Sequence, residues 1–194
     1  MPSFKSTFAT FAFLAAVNAK TVTITAKSDN RFDPDSTTAD KGDILEFQFE
    51  GSKHSVVAGD YQYACSPVQI GTGFFSGFVD GDSNKVFRVE VNDTDPLIFY
   101  SSQGTECASG MVGIVNPSGD KTLDDYRSRA SKLSTGVSPG NATFGGELAD
   151  KGSSDKDDQD NKKGGTDDKK NSAGTLQVST VALSSVFGAV LYML

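Results

Sequence analysis

Few side chains in this 194-residue chain are equipped for chemistry beyond solvation. There is one histidine, His54, and there are two cysteines, Cys65 and Cys107. Cys107 lies within Phe99-Tyr100-Ser101-Ser102-Gln103-Gly104-Thr105-Glu106-Cys107-Ala108-Ser109-Gly110-Met111-Val112-Gly113, which packs hydroxyl, carboxylate, thiol and thioether groups into one short stretch. His54 has two readings: a metal ligand, or a hydrogen-bonded residue at a strand end. A Ser-His-Asp triad could recruit it, but no nucleophile elbow is present and Ser55 is merely its neighbour in sequence. Asp80-Gly81-Asp82-Ser83-Asn84 begins like an EF-hand loop, yet Lys85 occupies the sixth place where Gly is needed and Val91 the twelfth where Glu is needed. It reads as a hairpin turn. Gly71-Thr72-Gly73-Phe74-Phe75-Ser76-Gly77 has the glycine spacing of a phosphate loop without its lysine or its strand-to-helix context. Phe74, Phe75 and Phe78 read as core or as a small contact patch. Among 25 Asp and Glu, paired carboxylates carry no signal, because most acidic side chains simply solvate a surface. No enzymatic activity is expected.

The elements that must position these groups are strands. Thr21–Ala26 alternates polar and apolar residues and is rich in β-branched types, the pattern of a half-buried strand. The same period returns in Ile44–Glu50, Val86–Val91, Leu97–Tyr100 and Met111–Val115, separated by Gly-, Asp-, Asn- and Pro-bearing turns. Short strands at this spacing predict an all-β antiparallel sandwich. Only Thr122–Leu133 carries helical spacing, with Leu123, Tyr126, Ala130 and Leu133 on one face and Asp124 and Asp125 near its start.

The two ends of the chain read differently. Residues 1–19 hold Lys5, an apolar run from Phe8 to Ala16 and a small-residue finish at Val17-Asn18-Ala19, which predicts a secretory signal peptide cut before Lys20. That run is too short to span a bilayer. At the other end, Asn171-Ser172-Ala173-Gly174, a short spacer and the apolar run Val178–Leu194 resemble a glycosylphosphatidylinositol (GPI) attachment signal, with Asn171 or Ser172 as the attachment residue. Lys169 and Lys170 leave a plain membrane span as the alternative. The division that follows is a signal peptide over 1–19, a folded domain over 20–133, a flexible hydrophilic stalk over 134–171 and an attachment propeptide over 172–194. The stalk has too few apolar side chains to offset the entropy of ordering. Its opposite charges nearly cancel, and the whole chain carries −7, so nucleic acid is not an expected partner. Secretion makes Asn92 and Asn141 candidate N-glycosylation sites and makes a Cys65–Cys107 disulfide the default reading.

The order of the motifs adds a resemblance. Phe32-Asp33-Pro34, Lys41-Gly42-Asp43 before an apolar strand, His54-Ser55-Val56-Val57, Cys65 and the terminal Glu106-Cys107-Ala108-Ser109-Gly110-Met111 together resemble the cupredoxins. The likeness is nearest to the secreted fungal cupredoxin-like proteins and extends more distantly to plant phytocyanins. It covers Lys20 to about Pro117 and implies a Greek-key sandwich. It implies that His54 stands at the first copper-ligating histidine and Met111 at the axial ligand. Counting back from Met111, the second histidine and the thiolate fall on Glu106 and Ser101, while Cys107 takes the place of the family's structural disulfide cysteine, with Cys65 its partner.

A blue-copper site needs a thiolate with two imidazoles, because that soft ligand holds both Cu(I) and Cu(II). Ser101 supplies a hydroxyl and Glu106 a hard anionic oxygen. His54, Glu106 and Met111 would hold copper or another divalent ion only weakly. The expectation is a GPI-anchored module on the outer face of the plasma membrane or in the cell wall, with a degenerate copper site and with wall components as possible partners. The alternative is a copper-binding electron-transfer or copper-handling protein at the cell surface.

Overall fold

A computed structural model describes residues 19–69 and 72–153. The predicted signal peptide up to residue 18, the stalk beyond 153, the attachment residues Asn171 and Ser172 and the apolar tail lie outside the described residues. Eleven strands and one helix follow in chain order: β1 (Thr21–Lys27), β2 (Arg31–Asp33), β3 (Ser36–Thr37), β4 (Ile44–Phe49), β5 (Lys53–His54), β6 (Val57–Gly59), β7 (Val79–Asp80), β8 (Lys85–Glu90), β9 (Leu97–Tyr100), β10 (Val112–Val115), α1 (Leu123–Ala130) and β11 (Glu147–Asp150). One sheet has the order β11-β8-β4-β1-β2, a second β3-β10-β9-β6, and β5 pairs with β7 alone. The sandwich is therefore as expected, with two parallel ladders, β1 with β4 and β3 with β10, among the antiparallel ones.

Strand periodicity builds the core directly. In β4 the side chains of Leu45, Phe47 and Phe49 are buried while Glu46 and Gln48 are not, and Glu46 bonds across the outer face to Arg88 of β8 at 3.0 Å. Phe47 meets Phe99 edge-on at 5.2 Å, and Phe32 meets Phe99 at 4.9 Å. Such T-shaped contacts suit the quadrupoles of the rings. Strand β10 is buried at every position, because one face looks into the sandwich and the other lies under α1, whose Leu123, Tyr126 and Ala130 pack with Ile98, Val112 and Ile114. Gly113 lets the chain pass the Phe99 ring, which a Cβ at that position would strike.

The helix is shorter than its apolar spacing suggests. Thr122 caps it by accepting from the Asp125 amide at 3.3 Å, and Asp124 and Asp125 in the first turn complement the helix dipole. The chain leaves helical geometry after Ser131, so Leu133 is half exposed. Residues Asp80–Asn84 form a tight 3-10 turn between strands of different sheets rather than a hairpin, with Asn84 in the left-handed region at φ 54°.

The expected boundary at Leu133 needs correction: the fold continues to Ser153. The Val137 amide donates to the Cys65 carbonyl at 2.8 Å, and the Tyr100 hydroxyl donates to the Val137 carbonyl at 2.6 Å. Phe144 exchanges two backbone bonds with Phe75, at 2.9 and 3.0 Å. Strand β11 then pairs with β8, Glu147 opposite Arg88. The segment is held by main-chain bonds, which its small polar side chains do not advertise.

Candidate functional site

His54 ends β5, where it pairs with Val79 of β7, and its side chain is fully buried. Ser101 follows β9 directly. From there the chain makes a compact loop that closes where the Ser101 amide donates to the Met111 carbonyl at 3.1 Å. Inside the loop the Met111 amide donates to the Glu106 carbonyl at 2.9 Å and the Glu106 amide to the Gln103 carbonyl at 3.0 Å. Gly104 and Gly110, at φ 51° and 101°, supply the left-handed turns. The disulfide between Cys65 and Cys107 ties this loop to the segment between β6 and β7. Among the described residues no cysteine is free.

The loop delivers Glu106 onto the histidine. His54 Nδ1 lies 3.1 Å from Glu106 Oε1 and 3.0 Å from Oε2. The Ser101 hydroxyl donates to Glu106 Oε2 at 2.6 Å, a short charge-assisted bond. A carboxylate in its ionised form can only accept, and the tautomer of His54 that matches it carries the proton on Nδ1. Further serine hydroxyls support the pair. The Ser55 amide donates to Ser101 Oγ at 3.2 Å, the Ser102 amide donates to Ser55 Oγ at 2.8 Å, and the Ser55 and Ser102 hydroxyls are 3.0 Å apart. His54, Ser55 and Ser101 are wholly buried, and Glu106 is 9% exposed. The Nε2 atom of His54 is buried without a hydrogen-bond partner.

Of the residues singled out from the sequence, His54, Glu106 and Ser101 are thus brought into one hydrogen-bonded unit. They bond to each other. Met111 is fully buried and belongs to the same apolar core cluster as Val56 and Phe99. Among the described residues no group of three or more His, Cys, Asp and Glu is placed to hold a metal ion. The order of the polar unit also differs from a hydrolytic triad: the serine proton is directed at the carboxylate, not at the imidazole. Sequence reasoning did not assign roles to Ser55 and Ser102, since serines in a polar stretch carry no local signal of burial. The sequon residues Asn92 and Asn141 are both exposed.

Residues after the helix cap this end of the sandwich. Thr135 Oγ1 donates to the Gly104 carbonyl at 2.7 Å, and a Cβ at Gly136 would lie 3.2 Å from Cys107 Cβ and 3.5 Å from the Ser101 carbonyl oxygen. The segment lies across the loop that carries Ser101 and Glu106.

The geometry can be set beside known proteins. The chain is 30% identical over 136 residues to a probable GPI-anchored cupredoxin-1 of the fungus Arthroderma benhamiae, covering 69% of this chain and 70% of that one. This chain belongs to the fungal cupredoxin-like proteins. The chain is also 30% identical over 144 residues to an extracellular serine-rich protein of the same fungus, covering 72% of this chain and 56% of that one. Solved structures that align with it include reduced auracyanin from Roseiflexus castenholzii, at 12% identity and TM-score 0.41 over 52% of this chain and 98% of that one. A purple cupredoxin from Nitrosopumilus maritimus aligns at 15% identity and TM-score 0.39 over 50% of this chain and 97% of that one. No protein-family model matches the chain.

Proposed function

We propose that this cupredoxin domain is displayed outside the cell on a GPI anchor as a non-enzymatic surface module, and that it has given up type-1 copper chemistry. The observation that carries the reading is the Glu106 carboxylate on His54 Nδ1. A type-1 site requires a thiolate and free imidazole nitrogens converging on the metal. Here both cysteines are spent in the disulfide, and the nitrogen that faces the loop already has an anionic partner. The donor set does not fit a blue copper centre. What it does fit is an internal hydrogen-bonded unit: a carboxylate that faces the imidazole Nδ1 and accepts from a serine hydroxyl.

Attachment to the membrane is supported by the small-residue and apolar pattern after Asn171 and by the name of the cupredoxin relative. The exposed sequons at Asn92 and Asn141 favour a glycosylated surface form. Two measurements test the proposal. Calorimetric titration of the secreted domain with Cu(II) should show no stoichiometric uptake, and His54→Ala should not change the trace. Treatment of whole cells with a phosphatidylinositol-specific phospholipase should release the protein. Tight copper uptake lost in His54→Ala would overturn the first half, and retention on the membrane would overturn the second.

A further inference from the structure

Just before β1 a buried carboxylate faces the main-chain nitrogen of Lys20. Asp43 is 7% exposed. Its Oδ1 accepts from the main-chain nitrogen of Lys20 at 2.9 Å, and its Oδ2 from the Asp40 amide at 2.9 Å. The carboxylate is fixed by the turn before β4, in which the Asp43 amide donates to the Asp40 carbonyl and the Val91 amide to the Asp43 carbonyl. Lys20 is fixed as well, because its carbonyl accepts from the Ile44 amide at 2.8 Å and β1 begins at the next residue. Hydrogen bonds from the Asp40 and Lys20 main-chain nitrogens hold the Asp43 carboxyl below the ordinary carboxylate range.

We propose that removal of the leader before Lys20 creates a structural ion pair: the new α-ammonium of Lys20 docks on the Asp43 carboxylate. The proposal rests on the reading of residues 1–19 as a cleaved signal peptide. Hydrolysis breaks the Ala19–Lys20 C–N bond; water gives its OH to the Ala19 carbonyl and a proton to the Lys20 nitrogen, which takes a second proton at neutral pH. The nitrogen keeps its place, since Lys20 is anchored by β4. A neutral donor facing a carboxylate becomes a charged one, and such bonds are roughly twice as strong. Register matters: a cut one residue earlier moves the charge about 3.8 Å along the chain, and a cut one residue later removes the donor. The other charged residues lining this corner are Lys20, through its own side chain, and Asp40, and Glu90 stands opposite Ile44 on β8.

The α-amino group ordinarily titrates at about 7.7–8.0, and a carboxylate partner raises that value in the folded chain. The added stability is therefore complete below the ordinary value and lost as pH rises through the raised one. The test begins with mass spectrometry of the N-terminal peptide of the secreted protein, which must start at Lys20; a different start overturns the leader reading and the proposal together. Secreted chains that begin at Lys20 or at Ala19 and are otherwise identical are then melted from pH 6 to 11. The Lys20 chain should melt about 2–4 °C higher at pH 6.5, with the gap closing at alkaline pH. Asp43→Asn should erase the gap; if that variant does not fold, the pH series on the unsubstituted chains decides. Equal melting temperatures at pH 6.5, despite a native start at Lys20, would overturn the ion pair alone.

Discussion

Glu106→Ala removes a carboxylate that serves two buried donors at once, the His54 Nδ1–H and the Ser101 hydroxyl. For the Ser101 hydroxyl the remaining side-chain hydroxyl contact is Ser55 Oγ, a long 3.4 Å away and already bonded to Ser102. Leaving a buried donor unpaired costs about 1–3 kcal/mol, so the expected loss is roughly 3–5 kcal/mol, a large share of a small domain's stability. Glu106→Gln keeps the shape but loses the charge, and its amide group meets a hydroxyl that has been donating; a loss of about 1–2 kcal/mol is expected. Replacing both partners with apolar groups, as in His54→Phe with Glu106→Leu, removes the polar groups that would otherwise be stranded. The double variant should be less destabilised than the sum of its single changes by at least about 2 kcal/mol. The assay is urea unfolding of the secreted domain with its disulfide intact, reading midpoint and slope separately. A loss below about 1 kcal/mol in Glu106→Ala, or additive effects in the double variant, would refute the reasoning.

Three further outcomes follow from the same geometry. Ser101→Cys combined with Glu106→His should bind Cu(II) with an intense thiolate-to-copper absorption, and neither single change should produce it; absence of the band in a folded double variant would mean that the loop cannot converge on a metal. Ending the chain at Leu133 should abolish cooperative unfolding or lower the midpoint sharply, since it removes the Val137 and Phe144 backbone bonds and β11, whereas ending it after Ser153 should change little; both are read by thermal melts. Burial pushes the Tyr126 phenol up to about 12, against its hydrogen bond from the Cys65 amide, so its neutral form is favoured in the fold. Stability from this group is complete below about pH 10 and falls as pH rises from there through about 12, a loss that Tyr126→Phe should flatten in alkaline urea titrations.

The strands that carry the core were legible because each alternates on its own: Thr21–Lys27 and Ile44–Phe49 need no partner to show which face is buried. The disulfide was legible because the chain has only two cysteines to pair. What stayed hidden depends on main-chain bonding. Strand β11, with Glu147, Ala149 and Asp150, has the composition of a stalk, and its pairing with β8 is decided by backbone groups and by the close approach allowed at Gly146. The site itself was half legible. His54, Ser101 and Glu106 could be placed together by their register, but register cannot tell whether they converge on an ion or on one another. That distinction lies in where the Glu106 carboxylate sits relative to Nδ1, and in serines whose burial nothing nearby in sequence announces.

His54 is the sole histidine of the chain, so its ring nitrogens give unambiguous signals. The most direct test is nitrogen-15 NMR of the imidazole in the secreted domain, recorded before and after addition of Cu(I) and Zn(II). A protonated Nδ1 is expected, hydrogen-bonded and slow to exchange with water, in a spectrum that the metals leave unchanged. A deprotonated Nδ1 that shifts when metal is added would contradict it.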